Sequence, residues 1–172
     1  RYSITANSNT DIQPDYFESN DSILDATRIG ILANAQAFEA ESLTIHSNKD
    51  DDYFQFELTE TSNLNLGITF DAQKGDLDLE LLDQFGNLID SSASTLDSES
   101  ITVEELGSGT YFGRVFGYGD ATSDGYAISA SAESALTQFQ TDAYEKNDSI
   151  GDAYNLGLIQ GAVDAVAQAN LH

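Results

Sequence analysis

The feature that most constrains this chain is an internal repeat. Asp15-Tyr16-Phe17-Glu18-Ser19-Asn20-Asp21-Ser22 returns as Asp142-Ala143-Tyr144-Glu145-Lys146-Asn147-Asp148-Ser149. Glu18 and Glu145 stand 127 positions apart, as do Asp21 and Asp148. Ile23, Asp25, Ala26 and Gly30 reappear at the same offset as Ile150, Asp152, Ala153 and Gly157. A repeat of this kind is read before any local pattern, because each copy is a structural unit. Residues 14–132 make one complete unit, and a second starts at 142 and is cut off within the 172 residues.

Inside the complete unit, apolar residues recur at every second position. Phe54, Phe56 and Leu58 alternate with Tyr53, Gln55 and Glu57; Leu64, Leu66, Ile68 and Phe70 alternate with Asn63, Asn65, Gly67 and Thr69. Leu77, Leu79 and Leu81 point in while Asp76, Asp78 and Glu80 point out. That period marks strands with one buried face. Further strands are expected at 42–46, 88–91, at Ile101 and Val103, at 110–116 and at 126–130, separated by Gly-, Asn- and Asp-rich turns. Ser22 with Asp25 three residues on, and Gly30 beyond, reads as a short helix over 22–28. Short strands at such spacing predict an all-β fold, an antiparallel jelly-roll-like β-sandwich with a short N-terminal helix.

The domain plan follows. Residues 1–13 hold an alternating stretch, Tyr2–Ala6, and a polar linker; the stretch is the last strand of a preceding copy or an added strand of this one. Residues 14–132 are the complete module, 133–141 a Ser/Ala/Thr/Gln linker, and 142–172 the truncated second copy. The opening residues read as the interior of a domain, so the sequence is expected to be a piece of something longer.

Charge narrows the function classes. Thirty acids against six bases give a formal charge of -24. Nucleic acid is a poor partner for such a surface, as is an anionic membrane. Multivalent cation binding, adaptation to salt and plain solubility all remain as readings of the acidity. With no Cys, disulfides, thiolate metal sites and a Cys nucleophile are excluded. No apolar run is long enough for a membrane helix. Only His46 and His172 are available as imidazoles, and no Gly-x-Ser-x-Gly elbow occurs. Catalysis is not expected.

Two acidic clusters stand out. Glu18, Asn20 and Asp21 place three oxygen-bearing side chains within four residues; Asp50, Asp51 and Asp52 follow about thirty positions later. In a sandwich, a loop and the turn before a strand meet at such a separation. Together the clusters offer five or six oxygens to a hard cation such as Ca2+, which wants six to eight. Against this stand a helix start at Ser22 and a solvated turn at 50–52. Asp120-x-Thr122-x-Asp124-Gly125 half-matches an EF-hand loop but lacks its closing Glu and is read as a loop. Tyr111, Phe112, Phe116, Tyr118 and Tyr126 crowd the last two strands, and any that face outward on one sheet would suit an extended polymer.

These segments together resemble the bacterial pre-peptidase C-terminal domains, to which the collagen-binding domains of collagenases are related. The resemblance rests on Tyr144-Glu145-Lys146-Asn147-Asp148-Ser149 and its earlier copy, and on Asp50-Asp51-Asp52-Tyr53-Phe54-Gln55-Phe56. It continues in Gly75-Asp76-Leu77-Asp78-Leu79-Glu80-Leu81-Leu82-Asp83, in Gly86-Asn87 and in Gly109-Thr110-Tyr111-Phe112-Gly113-Arg114-Val115. It implies a sandwich without catalytic function, appended to a secreted bacterial peptidase or surface protein. It further implies calcium ligands at Glu18, Asn20, Asp21, Asp50 and Asp52 that tie the N-terminal linker to the sandwich. In the collagen-binding relatives another Glu precedes the first by two places; Tyr16 and Ala143 stand there in this chain. The expected partners are an extracellular polymer, protein or polysaccharide, and neighbouring repeats or a catalytic domain of the same chain. The alternative is a structural spacer repeated along a large surface protein.

Overall fold

The computed structural model describes residues 11–33 and 36–135. Nine strands follow in order: β1 (Thr27–Ile31), β2 (Phe38–Ile45), β3 (Asp51–Leu58), β4 (Ser62–Phe70), β5 (Leu77–Asp83), β6 (Leu88–Ser92), β7 (Ser98–Leu106), β8 (Gly109–Gly117) and β9 (Ser123–Ser134). One 3-10 turn, Tyr118–Asp120, links β8 to β9. Two sheets form, with strand orders β1-β3-β8-β5-β6 and β2-β9-β4-β7. Every pairing is antiparallel except β1 with β3, which is parallel. The all-β sandwich is as the alternation requires.

The core lies between the sheets and is built from the alternating rows. Phe54, Phe56 and Leu58 of β3 and Leu77, Leu79 and Leu81 of β5 meet Leu64, Leu66 and Ile68 of β4 and Ile128 of β9, all buried. Each such side chain contributes roughly 1.5–3 kcal/mol by leaving water. The register cannot slip by one residue without turning these rows to solvent.

Three expectations are corrected. There is no helix over 22–28. Ser22–Asp25 is a turn closed by the Asp25 amide donating to the Ser22 carbonyl at 3.0 Å. The chain then enters β1 at Thr27. Thr27, Ile29 and Ile31 are β-branched and favour an extended backbone. Gly30, read as a helix stop, sits in β1 at φ 99°, where the pairing with β3 shifts register. Second, β9 runs to Ser134, two residues into the expected linker. Third, the acids of β5 are not a uniformly wet row. Asp78 is buried, and Glu80 accepts from Arg114 Nη1 at 2.9 Å.

Arg114 organises that outer face. It lies on β8 between β3 and β5, and its Nη2 reaches Asp51 Oδ2 at 2.7 Å. Its guanidinium carbon stands 4.3 Å from the Phe116 ring centroid. The expected strand at Tyr2–Ala6 and the second copy at 142–172 lie outside the described residues.

Candidate metal centre

The N-terminal segment crosses one end of the sandwich and is pinned to both sheets. Asp15 Oδ1 accepts from the Phe17 amide at 2.8 Å, a local turn that its short side chain favours. Asp15 Oδ2 accepts from the Thr44 amide of β2, also at 2.8 Å. Phe17 lies edge-on to Phe54, with centroids 5.8 Å apart. The Asn20 carbonyl accepts from the Tyr53 amide of β3 at 2.9 Å. These ties carry Glu18 and Asn20 over the turn that enters β3.

The strand supplies the rest. Asp52 extends the inward row of Phe54, Phe56 and Leu58 by one step, so its carboxylate faces the interior and is 1 % exposed. Asp50, in the turn before β3, is also buried, and its Oδ2 accepts from the His46 amide at 2.5 Å. From the opposite sheet the Tyr126 hydroxyl donates to Asp52 Oδ2. His46 Nδ1 lies 3.0 Å from Glu18 Oε1 and 2.5 Å from Asp50 Oδ2.

The result is a crowd of oxygens with too few donors. Asn20 Oδ1, Asp50 Oδ1 and Asp52 Oδ1 are buried and accept no hydrogen bond, and the buried Glu18 Oε1 has only His46 Nδ1 beside it. Asn20 is 0 % exposed, and its amide nitrogen is likewise unsatisfied. Native proteins rarely leave such groups orphaned, since each costs about 1–3 kcal/mol. Ligand atoms of Glu18, His46 and Asp50, and separately of Asp15, Glu18 and Asp52, lie within 4.8 Å of one another.

Protons are held abnormally tightly here. Burial, and then the charge of Asp50, push Glu18 up to about 7. Burial pushes Asp52 up to about 8, against the Tyr126 hydrogen bond, which lowers it. Asp50 is also raised, mainly by burial. Tyr126 is driven well above its usual range by burial and by the Asp52 charge. This is how carboxylates behave when a counter-charge is missing. The donor set of carboxylates and one amide suits a hard cation.

Four of the five residues expected from the sequence, Glu18, Asn20, Asp50 and Asp52, are therefore brought together. Asp21 is not in that group. It is exposed at the rim, although its charge still raises Glu18 and Asp50. Sequence reasoning missed Asp15, His46 and Tyr126. His46 carried a usable signal, since it directly follows β2 and stands four residues before Asp50; Asp15 carried none beyond its place in the repeat. Asp51 points away, to Arg114. The EF-hand-like stretch is split: Asp120 lies in the 3-10 turn, and Asp124 is on β9, paired with Lys74 at 3.1 Å.

The aromatics do not form a polymer-facing surface. Tyr126 is buried at the site, Tyr111 packs on Phe56 at 5.9 Å, and Phe112 is buried. Phe116 lies under Arg114, which leaves only Tyr118 of the five well exposed, at 66 %.

Residues 50–117 match the family model described as bacterial pre-peptidase C-terminal domain, which bears out the resemblance read from the motifs. The match takes in Asp50 and Asp52 but starts after Glu18, Asn20 and Asp21. No curated protein matches the chain. The pre-peptidase C-terminal domain of a collagenase from Bacillus anthracis is similar in structure, at 14 % identity and a TM-score of 0.45. That likeness covers 62 % of this chain and 93 % of that one. PliG of Aeromonas hydrophila, a periplasmic inhibitor of g-type lysozyme, is similar at 10 % identity over 62 % of this chain and 99 % of that one, with a TM-score of 0.46. The Yersinia pseudotuberculosis-derived mitogen is similar at 15 % identity over 66 % and 93 %, also with a TM-score of 0.46.

Proposed function

Because residues 50–117 match the family model described as bacterial pre-peptidase C-terminal domain, we propose a non-catalytic, secreted accessory module stabilised by calcium. Its task is to hold an attached peptidase or surface protein on an extracellular polymer. The observation that carries the calcium reading is the gathering of buried oxygens on Glu18, Asn20, Asp50 and Asp52, of which those on Asn20, Asp50 and Asp52 have no partner. These residues, with Asp15, are the ones that would hold the ion. Bound there, it would supply the positive charge that the cluster lacks. Asp21 at the rim adds long-range attraction and no direct bond.

The chain's own residues then act as a clamp. Glu18 and Asn20 belong to the N-terminal segment; Asp50 and Asp52 belong to β3 and its entry. Without a cation their charges repel, and the segment is held by Phe17 and three hydrogen bonds. With one, the segment and the sandwich become a single body, and stability rises by mass action. A rigid junction sets the direction in which the preceding part of the chain leaves the sandwich.

The structural-spacer reading gains from one observation, the inward placement of Tyr111 and Tyr126. It shares the calcium clamp and differs only in needing no ligand. The test of the common part is thermal unfolding in EDTA, in calcium and in magnesium at fixed ionic strength. A calcium-specific rise in the midpoint, lost in Asp50→Asn and Asn20→Ala, supports the clamp. An equal response to both ions, or none, removes it.

A further inference from the structure

A second acidic pocket, unrelated to the calcium cluster, opens where β5 leaves the Gly75 turn. It has a volume of about 260 Å³ and is lined by Asp76, Asp78, Ala93, Ser94, Thr95 and Tyr118. The pocket is built rather than incidental. The Tyr118 amide donates to the Asp76 carbonyl at 2.9 Å, fixing the 3-10 turn against the start of β5. Gly117 lets the 3-10 turn fold back on the end of β8: a Cβ there would stand 1.8 Å from the Ala121 carbonyl oxygen.

Asp78 is 7 % exposed, and its carboxylate accepts no hydrogen bond. Asp76 Oδ1 is also buried without a partner. The charges that act on Asp78 come from Asp76, Glu99 and Glu80, all negative, and its proton affinity is raised, mainly by burial. The neighbouring groups are already committed. Glu80 is taken by Arg114, and Glu99 accepts from Ser92 Oγ, Ser94 Oγ and the Ser94 amide. Lys74, the nearest lysine in sequence, is paired with Asp124. Two carboxylates thus face the cavity uncompensated, which is costly unless an opposite charge enters.

A metal ion fits this pocket poorly. Among the described residues, triads of converging ligand atoms occur only around Glu18, and neither includes Asp76 or Asp78. An organic cation fits better. Tyr118, 66 % exposed, lines the pocket with an aromatic side chain, and Thr95 adds a hydroxyl. A planar guanidinium satisfies two carboxylates and stacks on a ring at once. We propose that this pocket binds an arginine side chain of a peptide or protein ligand, with Asp76 and Asp78 as the charge partners and Tyr118 as the stacking face.

The test is an amide-resolved NMR titration of the full chain with acetyl-Gly-Arg-Gly-amide. The control peptide replaces arginine by citrulline, its neutral isostere. The expected result is saturable shifts at Ser94, Thr95 and Tyr118 with the arginine peptide only. Asp78→Asn should weaken binding roughly tenfold, the loss of one charged contact. Tyr118→Ala, which removes an exposed ring, should weaken it about threefold. Glu41→Gln, an exposed charge removed on the other sheet, should leave it unchanged. Equal binding of the citrulline peptide overturns the proposal, and so does equal weakening by Glu41→Gln. Absence of saturable shifts, or displacement of the peptide from this pocket by calcium ions, overturns it as well.

Discussion

The Tyr126 hydroxyl, on β9 of one sheet, donates a hydrogen bond to Asp52, on β3 of the other. The two residues are far apart in sequence, and this contact ties the sheets together at the end where the carboxylates gather. It also fixes which oxygen of Asp52 stays free. With Oδ2 engaged by the phenol, Oδ1 is the one left without a partner. Tyr126→Phe removes the donor and leaves a buried carboxylate with neither oxygen satisfied. Chemical unfolding in EDTA should show a loss of about 1–3 kcal/mol. Because the bond lowers the Asp52 pKa, its loss should raise that pKa further, which NMR titration of the Asp52 side chain would detect.

The acidity of the cluster predicts an unusual stability profile. Glu18 and Asp52 titrate at about 7 and about 8 in the folded protein, above their ordinary values of 4.5 and 3.8. The folded state therefore binds these protons more tightly than the unfolded chain. Their contribution is fully present below the ordinary carboxylate range and falls as pH rises through the folded values. In EDTA the unfolding midpoint should drop between about pH 4 and about pH 8 and then level off. With calcium, which needs the deprotonated forms, the ion's stabilising effect should grow over the same interval. Parallel curves with and without calcium would mean that these carboxylates do not bind it.

How far this site could be read in advance depends on which residues lie on a periodic row. The alternation of Phe54, Phe56 and Leu58 continues backwards to Asp52, so an inward carboxylate was already written in the strand. The clusters around Glu18 and Asp50 were visible as spacing. Asp15 was not, because its role comes from a backbone tie to Thr44 that no pattern encodes, and His46 showed only as a histidine four residues before Asp50. Tyr126 looked like one of a set of surface aromatics, whereas strand parity alone sends its side chain to the core. The helix expected over 22–28 failed for the opposite reason. Ser22 and Asp25 do interact as in a capping motif, with Ser22 Oγ donating to Asp25 Oδ2 at 3.0 Å. The β-branched residues that follow turn the chain into β1 instead.

On the outer face, Arg114 holds Asp51 and Glu80 and covers Phe116. Arg114→Ala leaves two carboxylates across β8 from each other and bares the ring. Denaturant unfolding should record a loss of about 1–3 kcal/mol. Arg114→Lys should recover only part of it, since an ammonium cannot span both acids while stacking. Full recovery would reduce the role of Arg114 to a point charge.

Gly117 closes β8 onto the 3-10 turn, and the Ala121 carbonyl oxygen occupies the space of a Cβ at 1.8 Å. Backbone, not a flexible side chain, must yield. Gly117→Ala should cost about 1–3 kcal/mol and should displace Tyr118, visible as altered fluorescence quenching of that exposed ring. A variant as stable as the parent would show that the turn has a second, equally good path.

The central claim is that a cation joins the N-terminal segment to the sandwich through Glu18, Asn20, Asp50 and Asp52. Hydrogen exchange measures that junction directly at two amides, Thr44, bonded to Asp15, and Tyr53, bonded to the Asn20 carbonyl. Calcium should slow exchange at both, and across residues 15–21, well beyond any effect at core amides such as Leu66 or Ile128. Magnesium should do less. Identical exchange in EDTA and in saturating calcium, with the segment protected equally in both, would contradict the clamp.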